Sequence, residues 1–274
     1  MQRALLPAWE QIPTPIVGML HLPPLPGAPR HAGDAASIIN FVMHDAEALV
    51  AGGVDGLLME NYGDTPFTRL RVPAGVVAYM TKLAAEVRRR FNVPLGINVL
   101  RNDGCSALAI AAAVGAEFIR VNVLCGARLT DQGLIQGIAY DLLRERRVLG
   151  AEAIRIFADI NVKHSSPLGP PRALADETRD AIERGGADAL IASGASTGHP
   201  TDIKELTEIK AVAGHTPVFV GSGVTTDTVR DYGTIVDGFI IGTAFKIDDV
   251  STNPVERARV QDVVQRLRPG GRDV

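Results

Sequence analysis

Near the middle of the 274-residue chain, the segment Arg155-Ile-Phe-Ala-Asp159-Ile-Asn161-Val-Lys163-His164 sets a polar side chain at every second position. In an extended strand that period puts Asp159, Asn161 and Lys163 on one face, with Ile160 and Val162 on the other. Three polar groups aimed at an interior are costly unless they bond one another or a ligand. The segment is therefore either a buried Asp–Lys pair that fixes structure or part of a reactive site. A partly desolvated lysine loses proton affinity and can act as acid, base or Schiff-base former, and a nearby carboxylate opposes that loss. With Asp159 as the opposing charge, Lys163 is expected to grip substrate or donate a proton as a cation. Schiff-base chemistry is its second option.

Other strand ends supply partners for this chemistry. Glu60, followed by Asn61, is a candidate general base, although only one of the two can point straight inward. His21 closes the first apolar run and is a further catalytic candidate, with His164 a weaker one. Asn98, Asn122 and Asn161 are expected to orient substrate hydroxyls or carbonyls. Arg120 shares the phase of Asn122 and is expected to pair with an interior acid such as Asp159. His21, Glu60 and Asp159 together would suit a divalent metal, an option left open although no dense ligand cluster supports it; no cofactor is expected beyond a bound phosphate or other anion.

A second signal is made of glycine. Val220-Gly221-Ser222-Gly223-Val224 and Ile241-Gly242-Thr243-Ala244 each follow an apolar run, and Thr225-Thr226-Asp227 is expected to open a helix. Glycines let backbone N–H groups approach an anion closely, and a helix amino end adds favourable partial charge. A bound phosphate is therefore expected at Gly221, Ser222, Gly223, Gly242 and Thr243. The small, hydroxyl-rich run Ser193-Gly194-Ala195-Ser196-Thr197-Gly198 would complete that cradle or close over it.

The elements that must position these groups repeat. Gly53-Val54-Asp55, Gly115-Ala116-Glu117, Gly150-Ala151-Glu152 and Gly186-Ala187-Asp188 each follow a helical pattern and precede a short β-branched run. A left-handed glycine closes each helix, and the chain then enters a strand buried on both faces. Strands are predicted to start near residues 15, 54, 94, 117, 154, 188, 217 and 236. Helices are predicted over roughly 35–52, 73–91, 104–114, 132–149, 172–185, 202–213, 225–232 and 252–268. Eight such units predict a single closed (β/α)8 barrel over residues 1–274, with 1–14 as an N-terminal extension. Active sites of such barrels lie at the carboxyl ends of the strands, where the residues above fall. The acids at the amino ends, Asp55, Glu117, Glu152, Asp188 and Asp237, are read as stabilising features.

Composition narrows the class of function. Hydrophobic residues make up 46% and charged residues 22%, with a net charge of −3, which excludes disordered and fibrous classes and offers no basic surface for nucleic acid. Two cysteines cannot form a disulfide framework. No secretory leader or membrane-spanning run is evident. A cytoplasmic protein is expected, with no membrane insertion and with self-association left open.

The motifs quoted above, together with Ile16-Val-Gly-Met-Leu-His-Leu-Pro-Pro-Leu-Pro-Gly27, Asp55-Gly-Leu-Leu-Met-Glu-Asn61, Gly96-Ile-Asn-Val-Leu-Arg-Asn102 and Phe118-Ile-Arg-Val-Asn-Val123, resemble the BtpA/SgcQ family over nearly the whole chain. The last two glycine turns resemble, more distantly, those of the ribulose-phosphate-binding barrels. The resemblance implies a phosphate-binding barrel. It does not choose a reaction, since one branch is named for photosystem I biogenesis and another for a sugar-uptake operon. The residues point to an isomerase, lyase or aldolase-like enzyme acting on a phosphorylated sugar or similar metabolite. The alternatives are a non-catalytic assembly factor for a membrane complex, which would present an apolar or basic face, and a metal-assisted hydrolase.

Overall fold

The computed structural model describes residues 4–194 and 200–268. Eight parallel strands close a barrel: β1 (Ile16–His21), β2 (Gly56–Glu60), β3 (Leu95–Asn98), β4 (Phe118–Val121), β5 (Arg155–Ile160), β6 (Ala189–Ala192), β7 (Val218–Val220) and β8 (Gly238–Ile241). The ring shuts where β1 pairs with both β2 and β8. Helices follow the strands in turn: α1 (Ala35–Gly52), α2 (Ala74–Arg90), α3 (Gly104–Val114), α4 (Ala139–Val148), α5 (Leu174–Arg179), α6 (Ile203–Ala213), α7 (Val229–Gly233) and α8 (Arg257–Leu267).

The repeated tripeptide works as its residue types require. Gly53, Gly115, Gly150 and Gly186 all take positive φ, between 61° and 100°, a conformation that costs glycine little. The acids that follow tie neighbouring strands together. Asp55 accepts the amide of Ile16, Glu117 that of Leu95, Asp188 that of Ile156 and Asp237 that of Val218. In each pair the acid leading an even strand holds the start of the odd strand before it. Glu152 departs from this pattern and pairs with Arg147 at the surface.

The barrel interior is layered. Alternate residues of the strands point inward, and Val17, Met19, Leu58, Phe118, Phe157, Ile191, Phe219 and Ile240 form one apolar cluster there. A larger cluster fills the space between strands and helices. Trp9 enters the interior from the N-terminal segment, packs on the rings of Phe118, Phe157 and Phe219, and donates to the Asp55 carbonyl at 2.8 Å. The segment before β1 is thus a plug for the amino end of the barrel. Arg268, at the other end of the chain, holds the same rim through Asp55 and the Thr14 carbonyl.

Space for these rings comes from glycine. A Cβ on Gly96 would lie 2.2 Å from the Phe118 ring, and one on Gly238 would lie 2.3 Å from Phe219. Phe118 is itself stacked on Phe157 at 4.5 Å and cannot retreat. Gly96→Ala is therefore expected to cost about 1–3 kcal/mol of stability by overpacking. Urea unfolding of this variant, and of Gly96→Ala with Phe118→Leu, checks the origin: the second change should recover most of the loss.

Three segments differ from expectation. A helix was expected from residue 132, but Ala127–Thr130 and Gly133–Gln136 form an antiparallel hairpin, joined by Ser165–Pro167 into a small three-stranded sheet, and α4 starts only at Ala139. Gly133, at φ 95°, makes the turn. The helix expected from 225 begins at Val229 and has five residues, and that expected from 252 begins at Arg257.

Candidate active site

Continuing the inward phase one layer towards the carboxyl ends replaces apolar side chains with polar ones and glycine. After Met19 comes His21, after Leu58 Glu60, after Gly96 Asn98, after Phe118 Arg120 and Asn122, and after Phe157 Asp159. Phe219 and Ile240 are followed by Gly221 and Gly242. This layer floors a cavity of about 630 Å³, within the usual range for small-molecule sites. His21, Glu60, Asn122, Lys163, residues 221–223 and residues 242–243 all line it.

Lys163 and the first glycine turn meet directly, with Nζ donating to Ser222 Oγ at 3.4 Å. Burial, reinforced by the Arg120 guanidinium and opposed by Glu60 and Asp159, lowers the Lys163 pKa to about 8. Asp159 is not its direct partner. Both Asp159 oxygens lie 3.1 Å from Arg120 nitrogens, one from Nε and the other from a terminal nitrogen, and Oδ2 also accepts from Asn122 Nδ2 at 2.5 Å. The expected pairing of Arg120 with an interior acid is present, and it occupies the carboxylate that was expected to move protons or hold Lys163 charged. Asp159 is a structural anchor beneath the cavity.

Glu60, rather than Asn61, points inward. Asn98 Nδ2 donates to Glu60 Oε2 at 2.5 Å, so Asn98 holds a carboxylate where it was expected to hold a substrate hydroxyl. Asn61 accepts from the Leu100 amide and donates to Asp64, bracing the loops after β2 and β3. His21 stacks on Tyr62 with ring centroids 4.6 Å apart. Its Nδ1 lies 3.1 Å from the Ser251 carbonyl, which can only accept, so Nδ1 carries the proton and Nε2 is left facing Glu60 Oε1 at 4.0 Å. Burial, reinforced by the charge of Lys246, lowers the His21 pKa to about 3. The ring is neutral at any physiological pH.

Asn161 departs from the alternation of β5. It takes a left-handed φ of 50°, its amide oxygen 3.3 Å from Arg128 and its nitrogen 3.5 Å from Glu205. It lines a separate hollow of about 60 Å³ and not the main cavity. The same turn lets Lys163 re-enter the mouth from a loop. His164, exposed and also at positive φ, sits on the rim.

The glycine turns have the expected neighbours, without the expected helix. Gly242 leaves room for His21, whose Cε1 would be 2.9 Å from an added Cβ; Gly221 leaves room for Ile191 and Ser193. Ser193 and Gly194 are buried behind Gly221; residues 195–198 of that run lie outside the described residues. Because α7 is only five residues long, partial charge from a helix amino end contributes little here, and positive charge comes from side chains instead. Among the described residues, Ser193 Oγ and Asn122 Oδ1 are buried without hydrogen-bond partners, a state native proteins largely avoid unless a ligand or water satisfies it.

Arg101 and Tyr62 were missed from sequence. Arg101 is buried at the mouth and donates to the Lys163 carbonyl at 2.6 Å; its signal was a cation three residues beyond Asn98, in a mouth loop. Tyr62, two residues past Glu60, gave no sign that it would cover His21. The proposed metal set does not assemble: Asp159 is taken by Arg120, and among the described residues no three His, Cys, Asp or Glu side chains gather to hold an ion. No helix among them is long and apolar enough to cross a membrane.

The fold and this site define a closed (β/α)8 barrel with a polar cavity at the carboxyl ends of its strands. Its structure is similar to that of N-(5'-phosphoribosyl)anthranilate isomerase from Pyrococcus furiosus, with a TM-score of 0.58 at 12% identity over 93% of this chain and 99% of that one. It is equally similar to KGPDC from Streptococcus mutans, with a TM-score of 0.58 at 14% identity over 93% and 98%. Residues 13–268 match the model of the BtpA family, and the chain belongs to that family. It is 43% identical to the photosystem I biogenesis protein BtpA of a Synechocystis strain over 95% of this chain and 90% of that protein. An uncharacterized protein of Thermococcus kodakarensis is also 43% identical, over 92% and 94%.

Proposed function

We propose that this protein is an enzyme that moves a proton on a phosphorylated sugar or a related small metabolite. The observation that carries the reading is the contact of Lys163 with Ser222 at the glycine turn, in the cavity that also holds Glu60. A phosphate cradled by residues 221–223 and 242–243 would sit beside the Lys163 ammonium. Glu60, held by Asn98, is the group placed to take a proton from a carbon next to a carbonyl. Arg101 and Arg120 supply positive charge where an enolate oxygen would develop. Asn122 Oδ1 is an open acceptor for a substrate hydroxyl. Neutral His21 offers an Nε2 acceptor and no transferable proton.

The Synechocystis relative is named for photosystem I biogenesis, and a role of that kind is the second reading. The test is solvent exchange: pentose 5-phosphates and hexose 6-phosphates are incubated with the protein in D2O, and deuterium entering next to the carbonyl is read by proton NMR. At least one should exchange, and Glu60→Gln should slow it by about 100-fold or more. Undiminished exchange in the variant removes Glu60 from the role. No exchange with any of them, together with no binding of a simple phosphate monoester, overturns the reading.

A further inference from the structure

Three aromatic side chains line the cavity in a chain that is only 5% aromatic: Phe41, Tyr62 and Phe67. All three remain partly exposed, unlike the interior rings Phe118, Phe157 and Phe219, which are buried. Leaving large aromatic faces partly uncovered forgoes hydrophobic stabilisation that burial would supply. Tyr62 also stands close to the anion end of the cavity. The Gly242 turn abuts the His21 ring, and Tyr62 stacks on that same ring at 4.6 Å. A ligand seated on the glycine turns therefore passes His21 before it reaches the aromatic side. The cavity volume of about 630 Å³ is that of sites for drug-sized ligands, with room for a ring beside a sugar phosphate.

From these observations we infer that the phosphorylated ligand carries an aromatic or heteroaromatic ring, which lies against Tyr62 and Phe67 while its phosphate occupies residues 221–223 and 242–243. The inference rests on the phosphate reading above and extends it to a substrate class, sugar phosphates with a planar ring attached. Cations and glycine serve one end of such a molecule, Glu60 and Asn122 its hydroxylated middle, and the aromatic wall its ring. Nothing in this requires a particular ring, since every aromatic ring presents a face for stacking.

The probes are methyl phosphate, ribose 5-phosphate, adenosine 5'-monophosphate and uridine 5'-monophosphate, measured by isothermal titration calorimetry on the full chain. At least one nucleotide is expected to bind about tenfold more tightly than ribose 5-phosphate, the size of one ring stacked on an aromatic side chain. Phe67→Ala should erase that increment and leave ribose 5-phosphate affinity within twofold of the unaltered protein. Thermal unfolding of the variant checks that it folds, and Phe67→Leu, which keeps bulk without the ring, should lose most of the increment as well. Nucleotides binding no better than ribose 5-phosphate, or an increment that survives both substitutions, overturns the inference and leaves the phosphate reading standing. If neither methyl phosphate nor any other probe binds, the phosphate reading fails and this one falls with it.

Discussion

Exchanging Lys163 for methionine is expected to lower affinity for methyl phosphate at pH 7 by at least about tenfold, the loss of one charge-assisted contact, without weakening the fold. The effect runs through the lysine's charge. Its pKa of about 8 in the folded protein leaves it mostly protonated at pH 7 and mostly neutral at pH 9. A phosphate monoester is already a dianion over that range, its second pKa being about 6. Affinity of the unaltered protein should therefore fall as pH rises through about 8, and Lys163→Met should be flat there. The effect on stability has the opposite sense. A lysine whose folded pKa lies below its unfolded value disfavours the folded state at low pH: the penalty is full below about pH 8 and vanishes only above the unfolded pKa. Methionine removes that penalty, so urea unfolding at pH 7 should show the variant at least as stable as the original. Unchanged phosphate affinity would remove Lys163 from the anion site; loss of folding would show a structural lysine instead.

The second large effect is expected at Arg120. Its side chain is 3% exposed and that of Asp159 is fully buried. Arg120→Leu leaves the Asp159 carboxylate in the barrel with only the Asn122 amide. Removing one member of a buried ion pair costs about 3–5 kcal/mol, whereas replacing both with apolar groups is often neutral. Urea unfolding should show a loss of that size for Arg120→Leu and recovery of most of it in Arg120→Leu with Asp159→Leu. A single variant within about 1 kcal/mol of the original would contradict the view that this pair anchors the cavity floor.

How much of this was legible beforehand depends on the kind of signal. The barrel was written in local chemistry. A left-handed glycine, an acid and a β-branched run recur, and each tripeptide does the same job wherever it appears, apart from the solvent-facing Glu152. The polar layer was legible as positions at strand ends, His21, Glu60, Asn61 and Asn122 among them, without a choice between Glu60 and Asn61 as the inward side chain. Alternation failed at Asn161, because a left-handed residue resets the phase; Lys163 reaches the cavity by a loop turn that periodicity cannot express. It also could not assign partners. Asp159 faces inward as expected but is claimed by Arg120, a contest between two cations decided by register across β4 and β5. The hairpin at 127–136 was hidden by a charged sequence compatible with a helix, until the turn at Gly133 is seen. Tyr62 and Phe67 lie in a loop without period, so their place on the cavity wall is a property of the fold alone.

A crystal structure of the protein grown with methyl phosphate tests the central claim most directly. The phosphate should be seated between residues 221–223 and 242–243, with one of its oxygens within hydrogen-bonding distance of Lys163 Nζ. A phosphate bound elsewhere, or bound at those turns with Lys163 directed away from it, would contradict the account.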